Sequence, residues 1–251
     1  MNSVFSRYAK YYDLLYAEKK YDEETLYISK LIGESNLRGG ALLEFGSGTG
    51  KHARALIKEG FQVTGIELSQ EMVDKAMEQP SEGFICYQGD ICDVRLGKKF
   101  DAIISLFHVI SYITTNEALT KLFQNVSDHL EVGGLFVFDF WYGPAVLSQG
   151  VETRVKNIKD ESTEITRIAE SKIRDQDSCV DVTYTIHMVD IKTRVAEIFS
   201  EVHTMRYFSL LELDYFAEKN GLRRILQEEF LTKNIPSQNT WGVCVAYKKV
   251  M

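Results

Sequence analysis

Apolar and polar positions change period several times along the chain, and each change marks an element. Between Tyr8 and Ile32 the apolar residues Tyr8, Tyr12, Leu15, Leu26, Ile28 and Leu31 recur at close to helical spacing, with a polar break from Glu18 to Asp22. Two helices are expected there. Gly39-Gly40 then precedes ALLEFGSGTG, a short apolar run that meets a glycine-rich turn and reads as a buried strand entering a tight loop. Residues 51–58 supply the next helix, and Gly60 closes it ahead of the strand FQVTGIEL. The alternation continues with a helix at 70–77, the strands FICYQ and DAIISLFHV, a helix at 117–129, and the strand GGLFVFDFW after a turn at 131–134. A helix over 210–220, closed by Gly221, and two strands around 224–230 and 240–247 end the pattern. Strands alternating with helices predict an α/β fold, a doubly wound, mostly parallel sheet of seven strands joined by right-handed crossovers.

From Gly143 to Met205 the helical period fades and a period of two takes over, with Val180, Val182, Tyr184, Ile186 and Met188 on one side. This segment is expected to be an inserted antiparallel β lobe; the alternative is a meander that only covers a sheet edge. The expected division is therefore 1–142 with 206–251 as an α/β domain carrying an N-terminal helical lid, and 143–205 as the lobe.

Composition narrows the function. The chain has 251 residues, of which 45% are hydrophobic and 26% charged, and it can bury its own core. Its net charge of −7 argues against a nucleic-acid partner, whose phosphates must be neutralised by Lys and Arg. Cys86, Cys92, Cys179 and Cys244 show no metal-ligand spacing, so no metal is expected and the thiols read as reduced. The opening MNSVFSRYAKYYDLLY has no signal-peptide pattern, and no run approaches the roughly 18 apolar residues of a membrane span. The expected setting is the cytoplasm, without a membrane partner, as a monomer or homodimer.

The chemistry concentrates where strands end. Glu44-Phe45-Gly46-Ser47-Gly48-Thr49-Gly50 closes the first strand, and its glycines allow a ligand close to the backbone N–H groups of the following helix. Glu67 closes the second strand about 20 residues later, the spacing at which an acid reaches the ribose hydroxyls of an adenosine. The glycines run G-x-G-x-G rather than G-x-G-x-x-G, which disfavours a nicotinamide dinucleotide, and no Gly-Lys-Ser/Thr follows to cradle ATP phosphates. Gln88-Gly89-Asp90-Ile91 ends the third strand, and Ser105-Leu106-Phe107-His108 the fourth. All lie at the carboxyl edge, where open α/β sheets bind ligands.

With these residues in order, the chain resembles the class I S-adenosylmethionine-dependent methyltransferases over essentially its whole length. The resemblance implies S-adenosylmethionine as cofactor: Gly46 and Gly48, with Gly50, at the turn against the methionine part, Glu67 on the ribose, Asp90 with Ile91 at the adenine, and the Leu106 carbonyl on the ammonium. Glu44 would orient the loop or that ammonium. Within the class, Tyr12-Asp13-Leu14-Leu15-Tyr16, Lys20-Tyr21-Asp22, Gly65-Ile66-Glu67-Leu68-Ser69 with Met72, GDICDVRLGKKFD and Trp141 are similar to N-methyltransferases that dimethylate nucleotide-linked deoxyamino sugars. That resemblance adds Tyr21, Leu68 and Met72 to the cofactor-binding candidates and implies a small polar acceptor methylated at an amino group.

An amine acceptor must lose a proton before it attacks a methyl group. Tyr12 near the lid, with Tyr112 and His108 after the fourth strand, are the candidates to line the acceptor pocket and take that proton. Arg206 could pair with a phosphate or carboxylate on the acceptor or form a surface salt bridge, and His203 lies beside it. No N/D-P-P-Y follows the fourth strand, which tells against nucleobase amines. An amino acid or hydroxylated natural product as acceptor, a cofactor-binding module without catalysis, and a nicotinamide-dependent oxidoreductase are the competing readings.

Overall fold

In the computed structural model, which describes residues 12–35, 37 and 40–250, the alternation becomes a sheet with helices on both faces. Tyr8 and Gly39 lie outside the described residues. Helices α1 (Tyr12–Leu15) and α2 (Tyr21–Gly33) flank the polar break. The strands β1 (Ala41–Phe45), β2 (Gln62–Glu67), β3 (Phe84–Gln88), β4 (Phe100–Ser105) and β5 (Leu130–Tyr142) are parallel, in the order β3-β2-β1-β4-β5. Helix α3 (Lys51–Lys58) connects β1 to β2, α4 (Gln70–Met77) connects β2 to β3, and α5 (Asn116–His129) connects β4 to β5.

After β5 come α6 (Gly143–Gln149) and four antiparallel strands, β6 (Arg154–Lys159), β7 (Thr163–Arg174), β8 (Cys179–Asp190) and β9 (Ala196–Phe208). Helix α7 (Leu210–Glu218), β10 (Leu222–Glu229) and β11 (Gly242–Lys249) follow. β11 is antiparallel to β5 and β10 to β11, so the main sheet runs β3-β2-β1-β4-β5-β11-β10, seven strands as expected.

Apolar runs buried on both sides explain the layering. On one face α5 and α7 press Leu119, Leu122, Phe123, Val126, Leu213 and Phe216 onto Phe136, Phe138 and Tyr247. On the other, Ile28, Leu31 and Ile32 of α2, Ala53 and Leu56 of α3, and Val73 and Ala76 of α4 cover Leu42, Val63, Ile104 and Val137.

The lobe's position follows from one lane change. β5 pairs with β4 up to Phe138, but Trp141 and Tyr142 pair with Tyr207 and Phe208 of β9, while β11 still occupies the other side of Trp141. β9 therefore enters the lane that β4 leaves, and it hangs the antiparallel sheet over the carboxyl edge. β8 buries Val180, Val182, Ile186 and Met188 on the side read from its alternation.

Three details differ from the sequence reading. α6 lies where no helical period was legible: Pro144 starts it with a pre-set φ, but seven residues carry too little period to register. β5 begins at Leu130, not Gly133, because Gly134 lets it run against its neighbours; a Cβ there would stand 2.7 Å from the Asp101 carbonyl. β9 extends to Phe208, through the expected boundary at 205.

Candidate active site

The loop after β1 is left-handed at Gly46 (φ 72°), Gly48 (53°) and Gly50 (75°). A Cβ on Gly46 would meet Val109 at 2.5 Å and one on Gly50 would meet Phe84 at 2.6 Å, so packing demands glycine at both. At Gly48 a Cβ would meet nothing within 4 Å among the described residues. The buried Glu67 carboxylate accepts hydrogen bonds from Gly48 N (3.0 Å) and Ser69 N (2.9 Å), locking the loop to the end of β2. Burial raises the Glu67 pKa, and those backbone donors oppose the rise.

Glu44 is 1% exposed, and its Oε2 has no hydrogen-bond partner among the described residues. Burial, and then the neighbouring Glu67 charge, push its carboxyl up to about 8. Its Oε1 lies 3.8 Å from His52 Nδ1; His52 Nε2 lies 2.7 Å from Glu24, and Glu24 pairs with Lys19. Burial pushes Glu24 upward, but the His52 hydrogen bond and the Lys19 charge outweigh it, so its pKa is lowered. Tyr21 packs edge-on against His52, with ring centres 4.8 Å apart, and Lys51 reaches Asp13 at 3.1 Å while Thr49 donates to the same carboxylate at 2.9 Å. Helix α1 and the start of α2 are thereby latched to the glycine loop and the helix that follows it. Lys19, Glu24 and His52 escaped sequence reading because nothing local marks them; only the fold brings them to Glu44.

Among the other candidates, Leu68 is exposed at the end of β2, Met72 is buried in the first turn of α4, and Ile91 and Leu106 are buried at the strand ends. Asp90 is exposed and caps its own turn by accepting from Cys92 N at 2.8 Å. After β4, Phe107 (φ 67°) and His108 (60°) are both left-handed, a conformation that non-glycine residues adopt at a cost and that clusters at functional sites. Asp139 holds this turn: Oδ1 accepts from His108 N at 3.1 Å and Oδ2 lies 2.8 Å from His108 Nδ1. Burial pushes Asp139 upward, but the His108 charge and hydrogen bonds prevail and hold it below the ordinary carboxylate value.

Tyr12 of α1 and Tyr16 just after it meet at a tilt with ring centres 4.8 Å apart, and with Leu15 they pack on Ile165, Ile186 and Met188 of the lobe. Tyr16 also meets Phe107 edge-on at 4.9 Å. Tyr112 hydrogen-bonds through its hydroxyl to His203 Nδ1 at 2.8 Å. Tyr184 lies edge-on to His203 at 4.9 Å, and Arg167 sits over Tyr184 at 5.3 Å and bonds Tyr16 Oη at 3.3 Å. Tyr12, His108 and Tyr112 thus sit around the carboxyl edge, joined there by Arg167, Tyr184, Glu201 and His203 from the lobe. Arg206 does not join them: it is buried, bonding Glu212 at 2.5 Å, Asn116 at 2.6 Å and the Thr114 carbonyl at 3.3 Å. Its guanidinium ties β9 to α5 and α7, so of the two uses expected for it the salt bridge is the one that forms, buried rather than at the surface.

Residues 42–134 match a family described as a methyltransferase domain. A dTDP-3-amino-3,4,6-trideoxy-alpha-D-glucopyranose N,N-dimethyltransferase from Streptomyces venezuelae is 30% identical over 219 residues, spanning 86% of this chain and 90% of the relative. The chain belongs to the class I S-adenosylmethionine-dependent methyltransferases. A dTDP-4-amino-2,3,4,6-tetradeoxy-D-glucose N,N-dimethyltransferase from Saccharopolyspora spinosa is 30% identical to this methyltransferase over 188 residues, covering 74% of this chain and 75% of that one. The crystal structure of Streptomyces venezuelae DesVI superposes with a TM-score of 0.80 at 25% identity, over 95% of the methyltransferase and 97% of that chain. The nicotinamide-dependent reading and the non-catalytic module fall away.

Proposed function

We propose that this methyltransferase methylates the amino group of a nucleotide-linked amino sugar. The observation that carries the reading is the polar set Arg167, Tyr184, Glu201 and His203 on the inner face of the lobe, facing the tyrosines of α1 and the turn after β4. Aliphatic residues share that face at Ile165, Val180, Val182 and Ile186, and the four polar side chains interrupt it at a desolvation cost that edge shielding alone does not require. Arg167 supplies a cation for an anionic acceptor, and the aromatic rings of Tyr12, Tyr16 and Tyr184 supply flat walls for a sugar or base. Similarity to two amino-sugar dimethyltransferases supports the same acceptor class.

The residues at the glycine loop fit the cofactor. Glu44's unpartnered oxygen suits an ammonium, the open face at Gly48 admits a ligand against the backbone, and Glu67 has the acceptor oxygens a ribose requires. In this reading Gly46, Gly50, Leu106, Tyr21 and Leu68 complete the cofactor wall, Met72 backs it, and Asp90 with Ile91 borders the adenine. When bound, S-adenosylmethionine would supply an electrophilic methyl group to the acceptor amine. The chain's own contribution is placement, exclusion of water and removal of a proton, with His108 and Tyr112 nearest the turn after β4. Residues 1–142 and 206–251 serve as the cofactor domain and 143–205 as the acceptor lobe. Four buried free cysteines support a reducing compartment such as the cytoplasm.

The test is incubation of the purified protein with S-adenosylmethionine and the dTDP-linked 3-amino sugar on which the Streptomyces venezuelae relative acts. Mass spectrometry should read one and then two added methyl groups. Methylation of amino acids or phenols with none on amino-sugar nucleotides would replace this acceptor class.

A further inference from the structure

Tyr112 is backed by a group that its own element does not provide. His203 on β9 is 1% exposed; its Nδ1 lies 2.8 Å from the Tyr112 hydroxyl oxygen, and its Nε2 faces Glu201 Oε2 at 3.6 Å. Among the described residues, the titratable groups that contact it are Glu201 from its own strand, Tyr184 from β8 and Tyr112 from the turn after β4. Residues 201 and 203 share a face by the two-residue period of a strand. Across the sheet His203 aligns with Val182 and Ser171, a row in which an aliphatic side chain would pack without the desolvation penalty of an imidazole.

Resting on the amino-acceptor reading above, we propose that His203 draws the acceptor's ammonium proton through Tyr112. The ammonium donates an N–H to Tyr112 Oη; that bond breaks and its electron pair stays on nitrogen as the lone pair used in methyl transfer. The Tyr112 hydroxyl proton passes to His203 Nδ1, so one proton moves from ammonium to imidazole and nothing is oxidised or reduced. Glu201, beside Nε2, favours the tautomer with its proton on Nε2 and then stabilises the imidazolium. Burial keeps the imidazole below its ordinary value against the pull of Glu201, so it rests neutral at neutral pH. A second methylation needs a second deprotonation, and the same path serves both. His203 is a positioning residue that acts through Tyr112.

The experiment compares wild type with His203→Asn, which keeps an oxygen for the Tyr112 hydroxyl but cannot take a proton, using the dTDP-linked 3-amino sugar. The expected kcat loss is about 10²-fold near pH 7, with the cofactor Kd unchanged. The loss shrinks as pH rises toward the acceptor's own pKa, where the amine arrives neutral. Tyr112→Phe, which leaves His203 in place, should show the same pH-dependent loss. A pH-independent loss, or none, overturns the relay. If wild type methylates no amino-sugar nucleotide, the acceptor class fails instead, and nitrogen NMR of His203 in the acceptor-free protein still decides the relay. A neutral imidazole protonated at Nε2 supports it; one protonated at Nδ1 overturns it.

Discussion

Glu44 sits near the end of β1 with one oxygen unpaired among the described residues, and its raised pKa has a measurable consequence. The folded protein holds this proton up to about pH 8, whereas the unfolded chain releases it near the ordinary value of 4.5. Between those values the unfolded state binds fewer protons than the folded one, so stability falls as pH rises across the window. Glu44→Gln removes the titration. Urea denaturation without cofactor should find the variant more stable than wild type at pH 9, by about 2–4 kcal/mol, and the gap should close toward pH 5. A variant less stable at pH 9 would mean that Glu44 is ionised and paired. Glu67 calls for a different measurement, because its carboxylate already orders Gly48 and Ser69. Glu67→Gln keeps the shape but loses the charge that strengthens hydrogen bonds to a ribose, and calorimetry should show S-adenosylmethionine binding weakened about 10- to 100-fold. Unchanged affinity would remove Glu67 from the cofactor site.

At the scale of elements, caps and packing account for what the chain does between its strands. Ser209 caps α7 by accepting from Glu212 N, and Glu212 reaches back to Ser209 N while also pairing with Arg206. Ser209→Ala should lower the unfolding free energy by about 1 kcal/mol in a urea titration and leave cofactor affinity unchanged. A change in affinity would mean that α7 couples to the loop after β1. Helices α3 and α4 were legible to the residue, since each has an apolar face of two turns and a clear stop. α6 was not, because a single apolar turn after Pro144 is indistinguishable from a loop. The choice between the two uses of Arg206 stayed open for a related reason: sequence shows a cation near a strand end, but not the Glu212, Asn116 and Thr114 oxygens that the fold gathers around it.

For the whole molecule, the proposed cofactor site joins parts distant in the chain: α1 and the start of α2, the turns after β1, β2 and β4, and the lobe above them. A ligand bound only by the folded state stabilises it by mass action, about 2.7 kcal/mol at 100 times its Kd. For a chain of this size, S-adenosylmethionine at that excess should raise Tm by about 5–10 °C in a thermal scan. Glu67→Gln at the same concentration should show a much smaller shift. No shift in wild type would mean that the folded protein does not bind S-adenosylmethionine at that concentration.

Strand and helix order, the left-handed glycine loop, and the acid at the end of β2 were settled by the chain itself, because hydrophobic period, glycine conformation and residue spacing are local properties. The lane that β9 takes beyond β4, the aspartate beneath His108, the orphan oxygen of Glu44 and the meeting of Tyr112 with His203, 91 residues later, belong to the tertiary structure alone. Which strand fills a vacated lane depends on pairing energy summed over distant segments, and no local period carries that information.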